Sequence, residues 1–382
     1  MDSDELLKEA ARIAREVAGP ASSDVDERSR FPAESVEALR HAGLLGALIP
    51  TEMGGLGASL TEVAACTETL AAHCASTAMV FAMHQIQVAC LVRHGHTELL
   101  GQFTRDVARL GLLLASATTE MGVGGDVRTS ICAVEADGDE FAVTKMAPVI
   151  SYAEEADAVF TTARRAADSP SSDQVIVVCR AADTKLERLS EWNALGFRGT
   201  CSNGYRLDSR GPLGLVVPDP YAAVSSETML PVSHVLWASV WLGLANGAMD
   251  RARRYVQAEA RSKPGVLPPA ATRLAEAAVV HAQFKDMVAA ATARYEALMD
   301  DRGELSSIPF VVGMNALKVS ASTLVVDVVS RAMGVCGISA YRQDGEYSLG
   351  RYLRDAYGAA LMVNNERIHA NNAHLLLADR RR

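Results

Sequence analysis

The chain has 382 residues, 49% hydrophobic and 22% charged; it is long enough for two or three packed units and too ordinary in composition for wholesale disorder or a fibre. A formal net charge of −9 argues against a broad surface for phosphate backbones, so nucleic acid is not an expected partner. A few local cations, such as Arg253, Arg254, Arg261 and Lys263, could still hold an anion, because salt screens the distant total.

The seven cysteines include no Cys-x-x-Cys pair and suit reduced, mostly buried thiols in a cytoplasmic protein. The amino-terminal stretch lacks the apolar core of a secretion signal, and the longest apolar run, residues 235–244, is short for a bilayer. Neither export nor a membrane span is expected.

Apolar residues recur at helical spacing from the start to about Leu114, beginning with Leu6, Leu7, Ala10, Ile13, Ala14 and Val17. Pro32 and Gly43 bracket a second helix. The Gly-rich loop TEMGGLGAS follows, and Ser59 and Glu62 have capping-box spacing at the head of the next helix. A further helix is predicted over about residues 77–93.

From about residue 115 the texture changes. TSICAVEADGDEFAVTK predicts two strands joined at Asp137-Gly138-Asp139, and VFTTARR and QVIVVCR predict two more, separated by the polar loop AADSPSS. After Met229 long helical patterns return over residues 232–261, 269–299, 308–333 and 352–378, four antiparallel helices expected to form a bundle. The predicted class is α+β: an amino-terminal helical domain (1–114), a central β-domain (115–224) and a carboxy-terminal helical bundle (225–382).

The stretch SATTEMGVGGDV, residues 116–127, enters the β-domain. Its glycines let backbone N–H groups approach a bound anion or ring; by itself it reads first as a structural turn. It resembles the flavin-binding signature of acyl-CoA dehydrogenases, keeping Thr119, Glu120, Gly122, Gly124 and Asp126, with Met121 for the family proline and Gly125 for the serine. LLGALIPTEMGGLGASLTE, NALGFRGTCSNGYRL, VWLGLANGAMDRARRY and SLGRYLRDA resemble other family segments in the same order along the chain.

That resemblance implies FAD, with Thr118, Thr119, Gly124 and Gly125 at the cofactor. It also puts Ser151 where the family has a threonine near the flavin's reactive nitrogen, and Val149 in place of a stacking tryptophan. Arg261 corresponds to an arginine that reaches the FAD pyrophosphate of a neighbouring subunit, which implies a homodimer or homotetramer; guanidinium suits phosphate because its donors form a planar fork. Lys263 and Pro264 replace the usual Thr-Phe pair, and Arg331 and Val335 replace a glutamine and a glycine.

The family's catalytic carboxylate is missing. Counting from Arg354-Asp355-Ala356, its usual position falls on Val363, and the alternative on the first carboxy-terminal helix falls on Ser233. Glu366, three residues on, would share a helical face with Val363 and is a candidate displaced base. His234 is a second candidate, since imidazole titrates near neutrality, with a hydrogen-bonded structural histidine as the plain alternative.

The expected function is α,β-dehydrogenation of an acyl-CoA or acyl-carrier-protein thioester, passing electrons to a transfer partner or to oxygen. The alternatives are a flavin-dependent oxygenase or oxidase on the same fold, or a non-catalytic subunit of a heteromeric dehydrogenase.

Overall fold

The computed structural model describes residues 2–124 and 126–378. Helix α1 (Ser3–Ile13) opens with a capping box between Asp2 and Glu5 and buries Leu6, Ala10 and Ile13, the predicted stripe. It passes through one π-helical turn (Ala14–Ala18) into α2 (Gly19–Glu27). Helix α3 (Ala33–His41) starts directly after Pro32 and ends before Gly43, whose φ of 72° is left-handed. Helix α4 (Leu60–Ala71) begins at the predicted box, Ser59 N donating to Glu62 Oε2 at 2.7 Å and Glu62 N to Ser59 Oγ at 3.2 Å. Helices α5 (Ala75–His94) and α6 (Glu98–Leu110) follow.

The central strands form two sheets. Strands β1 (Leu114–Ala117), β4 (Ala158–Arg164) and β5 (Gln174–Arg180) lie in the order β1-β4-β5, with β1 parallel to β4. Strands β2 (Glu135–Asp137), β3 (Glu140–Ile150), β6 (Thr184–Ser190) and β7 (Asn203–Pro212) form an antiparallel sheet ordered β2-β3-β7-β6. The β2–β3 hairpin pairs Asp137 with Glu140 across Gly138, whose φ is 60°, so the predicted turn is realised as a two-residue loop. On β3 the side chains of Phe141, Val143, Lys145 and Ala147 all face inward.

His84, on the buried helix α5, joins the helical layer to β1. Its Nδ1 accepts the Leu114 N–H at 3.0 Å and its Nε2–H donates to the Leu45 carbonyl at 2.7 Å. Those partners permit one tautomer, and burial pushes the pKa of the ring down to about 4.

After α7 (Tyr221–Val224) and a π-helical turn (Ser225–Met229) come α8 (Leu230–Ser262), α9 (Ala270–Leu298), α10 (Arg302–Leu305), α11 (Ile308–Cys336) and α12 (Ile338–Tyr341). Helix α8 packs against α4, α5, α9 and α11 and forms the axis of this half. The fourth long helix predicted from sequence, over 352–378, is two: α13 (Gly350–Tyr357) and α14 (Asn365–Ala378). Between them Val363 turns left-handed, with φ 46°, and Asn364 Oδ1 accepts the Glu366 N–H at 2.8 Å, restarting the helix. Apolar spacing continues through the break, which is why the sequence reads as one helix.

Although each uninterrupted apolar run is short, three stretches, Ala75–His94, Tyr221–Ser262 and Ile308–Cys336, are by length and composition apolar enough to cross a membrane. The first two are 89% buried within the fold, so their apolarity is used in packing against neighbouring helices.

Candidate functional site

Strand β1 delivers the chain to Thr118 and Thr119, both half-buried, and the motif then leaves the sheet along the edge of β3. Met121 N donates to Met146 O at 2.8 Å, and Thr119 Oγ1 donates to Val149 O at 3.4 Å. Gly122 and Gly124 adopt φ of 93° and 61°, conformations that a side chain would strain. Gly125 lies outside the described residues.

Glu120 fixes this turn. Its carboxylate accepts from Ser130 Oγ at 2.6 Å, Cys132 N at 2.7 Å and Ile131 N at 3.1 Å, and pairs with Lys145 Nζ at 3.3 Å. Lys145 also donates to Thr162 O at 2.7 Å. Burial opposes ionisation of Glu120, but the Ser130 hydroxyl, the Lys145 charge and the backbone donors outweigh it and hold the carboxyl below its ordinary range. Glu120 is therefore a staple, its carboxylate committed to the turn.

At the end of β3, Ser151 Oγ lies 2.8 Å from Ser202 Oγ, which lies 2.7 Å from Thr200 Oγ1. Val149, whose carbonyl accepts from Thr119, and Met121, bonded to β3 through its N–H, remain 37% and 41% exposed. A cavity of 330 Å³ between Arg28, Phe31, Trp192 and Cys201 contains none of Thr118, Thr119, Gly124, His234, Arg261 or Glu366. The candidate site is an open face.

The carboxy-terminal half closes on this face through Arg367, which donates to the Gly124 carbonyl. Glu366 precedes it, exposed in the first turn of α14. The shared helical face expected for Val363 and Glu366 does not exist, because Val363 lies in the turn before α14. Lys318, fully buried on α11, donates to Val363 O and to Asn365 Oδ1, each at 2.7 Å, and burial lowers its pKa to about 8. It carries the turn from below.

Ser233 is buried, its hydroxyl bonded to Met229 O at 2.5 Å. His234 is buried as well; its Nδ1–H donates to Met314 O at 3.0 Å, and burial pushes its pKa down to about 4. It is neutral and enclosed. Arg261 is exposed in the last turn of α8 and is not brought against Thr118, Thr119 or Ser151.

Sequence reasoning missed Lys145, Lys318, Thr200, Ser202 and the role of Asp355. Asp355 is fully buried, accepts the Phe197 N–H at 2.6 Å, and has its pKa raised by burial to about 6. Lys145 did carry a signal, since it stands at an inward parity of β3, where a lysine must find a partner. The hydroxyl contacts carried none, joining residues up to 51 positions apart.

Two sequence profiles match: "Acyl-CoA dehydrogenase, N-terminal domain" over residues 1–111 and "Acyl-CoA dehydrogenase, C-terminal domain" over residues 223–371. Cyclohex-1-ene-1-carbonyl-CoA dehydrogenase of Syntrophus aciditrophicus (strain SB) is 28% identical over 367 residues, covering 93% of this chain and 85% of that protein. Among solved structures, FMN-bound TdsC of Paenibacillus sp. A11-2, a dibenzothiophene monooxygenase, aligns with a TM-score of 0.84 at 20% identity, over 98% of this chain and 97% of that one. Glutaryl-coenzyme A dehydrogenase in complex with glutaryl-CoA aligns with a TM-score of 0.80 at 21% identity, over 99% of this chain and 97% of that one. At such identities the structural matches establish the fold.

Proposed function

Since the chain belongs to the acyl-CoA dehydrogenase family of flavoprotein oxidoreductases, we propose that it binds FAD on the open face and dehydrogenates an acyl thioester between its α and β carbons with a displaced base. The ring would lie where the proposed units 115–224 and 225–382 meet. Thr118, Thr119 and Ser151 offer hydroxyls to its heteroatoms, Val149 offers an apolar wall, and the turn at Gly122 and Gly124 offers backbone N–H groups. When bound, FAD supplies the hydride acceptor.

The observation that carries this reading is the bond from Arg367 to Gly124. It brings the start of α14, the helix that carries Glu366 in its first turn, to the flavin-type turn. Glu366 is then the group that takes the α-proton. His234 and Lys318 shape the bundle beneath it, and Arg261 reaches the cofactor of a second copy in a homodimer or homotetramer. The test is anaerobic addition of acyl-CoA thioesters to the flavin-loaded protein. Bleaching by a thioester, abolished in Glu366→Gln with FAD content intact, is expected; a flavin unmoved by every thioester would overturn dehydrogenation.

A second reading, a flavin-dependent oxygenase or oxidase, is favoured by one observation: neither Val363 nor Ser233 is a carboxylate. Incorporation of heavy-isotope oxygen into product would establish monooxygenation, and unlabelled product would reject it. Retention of the Thr118-to-Asp126 signature argues against a subunit without a cofactor.

A further inference from the structure

We infer that Thr200, Ser202 and Ser151 form a hydrogen-bond relay of fixed direction that leaves Ser151 able only to accept from the bound flavin, biasing the cofactor toward its reduced form. The inference rests on the proposed placement of the flavin against Ser151.

The direction follows from proton counting. Thr200 Oγ1 lies 2.9 Å from the Phe197 carbonyl oxygen. That oxygen also receives Trp192 Nε1 at 3.1 Å and Thr200 N at 3.1 Å, and has no proton to give. The short O···O contact is therefore filled by the Thr200 hydroxyl proton. A hydroxyl has one proton, so the 2.7 Å contact between Thr200 and Ser202 is filled by the Ser202 proton. By the same count the 2.8 Å contact between Ser202 and Ser151 uses the proton of Ser151.

Thr200 and Ser202 are 3% and 5% exposed, too enclosed for water to reset the direction. The anchor is itself fixed, since Phe197 N is bonded to the buried Asp355. Ser151 Oγ thus presents lone pairs alone.

In an oxidised flavin the reactive ring nitrogen is a bare acceptor, and in the reduced flavin it carries N–H. An acceptor-only oxygen pairs with the second and faces the first lone pair to lone pair. The relay therefore favours the reduced cofactor, and Ser202 and Thr200 act as positioning residues through Ser151.

The test is the midpoint potential of the bound flavin, read by reductive titration against a reference dye. Its subjects are the flavin-loaded protein and the variants Ser151→Ala, Ser202→Ala, Ser202→Thr and Thr200→Val. One neutral hydrogen bond made in a single redox state is worth about a tenfold change in relative affinity, which is about 30 mV for a two-electron couple.

Ser151→Ala is expected to lower the potential by about that amount. Ser202→Ala should lower it at least as far, because the freed Ser151 proton can then donate to the oxidised ring, and Ser202→Thr should restore it. If Ser202→Ala fails to fold, Thr200→Val reads the same relay one step earlier. A shift in Ser151→Ala without one in Ser202→Ala or Thr200→Val overturns the relay. An unchanged potential and flavin spectrum in Ser151→Ala overturns the placement of the flavin at Ser151, and with it the proposed site.

Discussion

His84 ties the amino-terminal helices to the strand that leads into the candidate site, and its titration gives a direct test of that connection. Its pKa falls from the ordinary 6.5 to about 4 because the ring is buried. The unfolded chain therefore takes up this proton before the folded one does. The contribution to stability is fully present above about pH 6.5 and is lost as pH falls through about 4. At about 1.4 kcal/mol per pH unit the full effect is about 3 kcal/mol.

His84→Gln keeps one acceptor for Leu114 N–H and one donor for the Leu45 carbonyl but cannot titrate. His84→Leu leaves both groups buried without partners, at a cost of about 1–3 kcal/mol each. Urea unfolding midpoints would be measured at intervals from pH 7.5 to 4.5 for the three proteins. The expected result is that His84→Gln narrows its deficit, or overtakes the wild type, as pH falls, while His84→Leu is less stable at pH 7.5. His234 and Asp355 titrate in the same range but are common to the proteins, so they cancel in the difference. A wild-type-minus-Gln difference that stays flat with pH would refute the assignment of a neutral, proton-excluding His84.

Asp355 should show the opposite slope: its raised pKa makes its contribution largest below about pH 4 and lost as pH rises through about 6. Asp355→Asn, which keeps an acceptor for Phe197 N–H, should remove that decline, as pH-dependent thermal melting would show. Lys145→Met strands the buried Glu120 carboxylate and should destabilise by about 3–5 kcal/mol in denaturant titration; an unchanged midpoint would show that the pair does not hold the turn. Gly196→Ala would place its Cβ 2.4 Å from the Arg354 carbonyl, so a loss of about 1–3 kcal/mol is expected; an unchanged melting temperature would show that the 193–207 turn and α13 do not approach so closely. In Arg261→Ala, lowered flavin occupancy with normal folding is the expected outcome, and full retention would count against a reach to the cofactor.

Local chemistry was legible in the sequence wherever a short run of residues sets its own geometry. The Ser59–Glu62 capping box, the helix bracketed by Pro32 and Gly43, the hairpin at Gly138 and the alternation of β3 each depend on neighbours within a few positions. The signature at residues 116–127 belongs with them, because its glycines reflect a backbone requirement that the sequence carries directly.

Only the tertiary structure decided what lies beneath and around that signature. The helix expected over 352–378 breaks at Val363, where Lys318, 45 positions away, takes the carbonyl that a continuous helix would have used internally. Glu366 consequently begins a new helix instead of extending an old face. The relay from Thr200 to Ser151 and the pairing of Glu120 with Lys145 likewise join strands and turns distant in sequence. Periodicity reports which side of an element is apolar; it does not record which buried donor meets which acceptor, since that depends on how elements cross once packed.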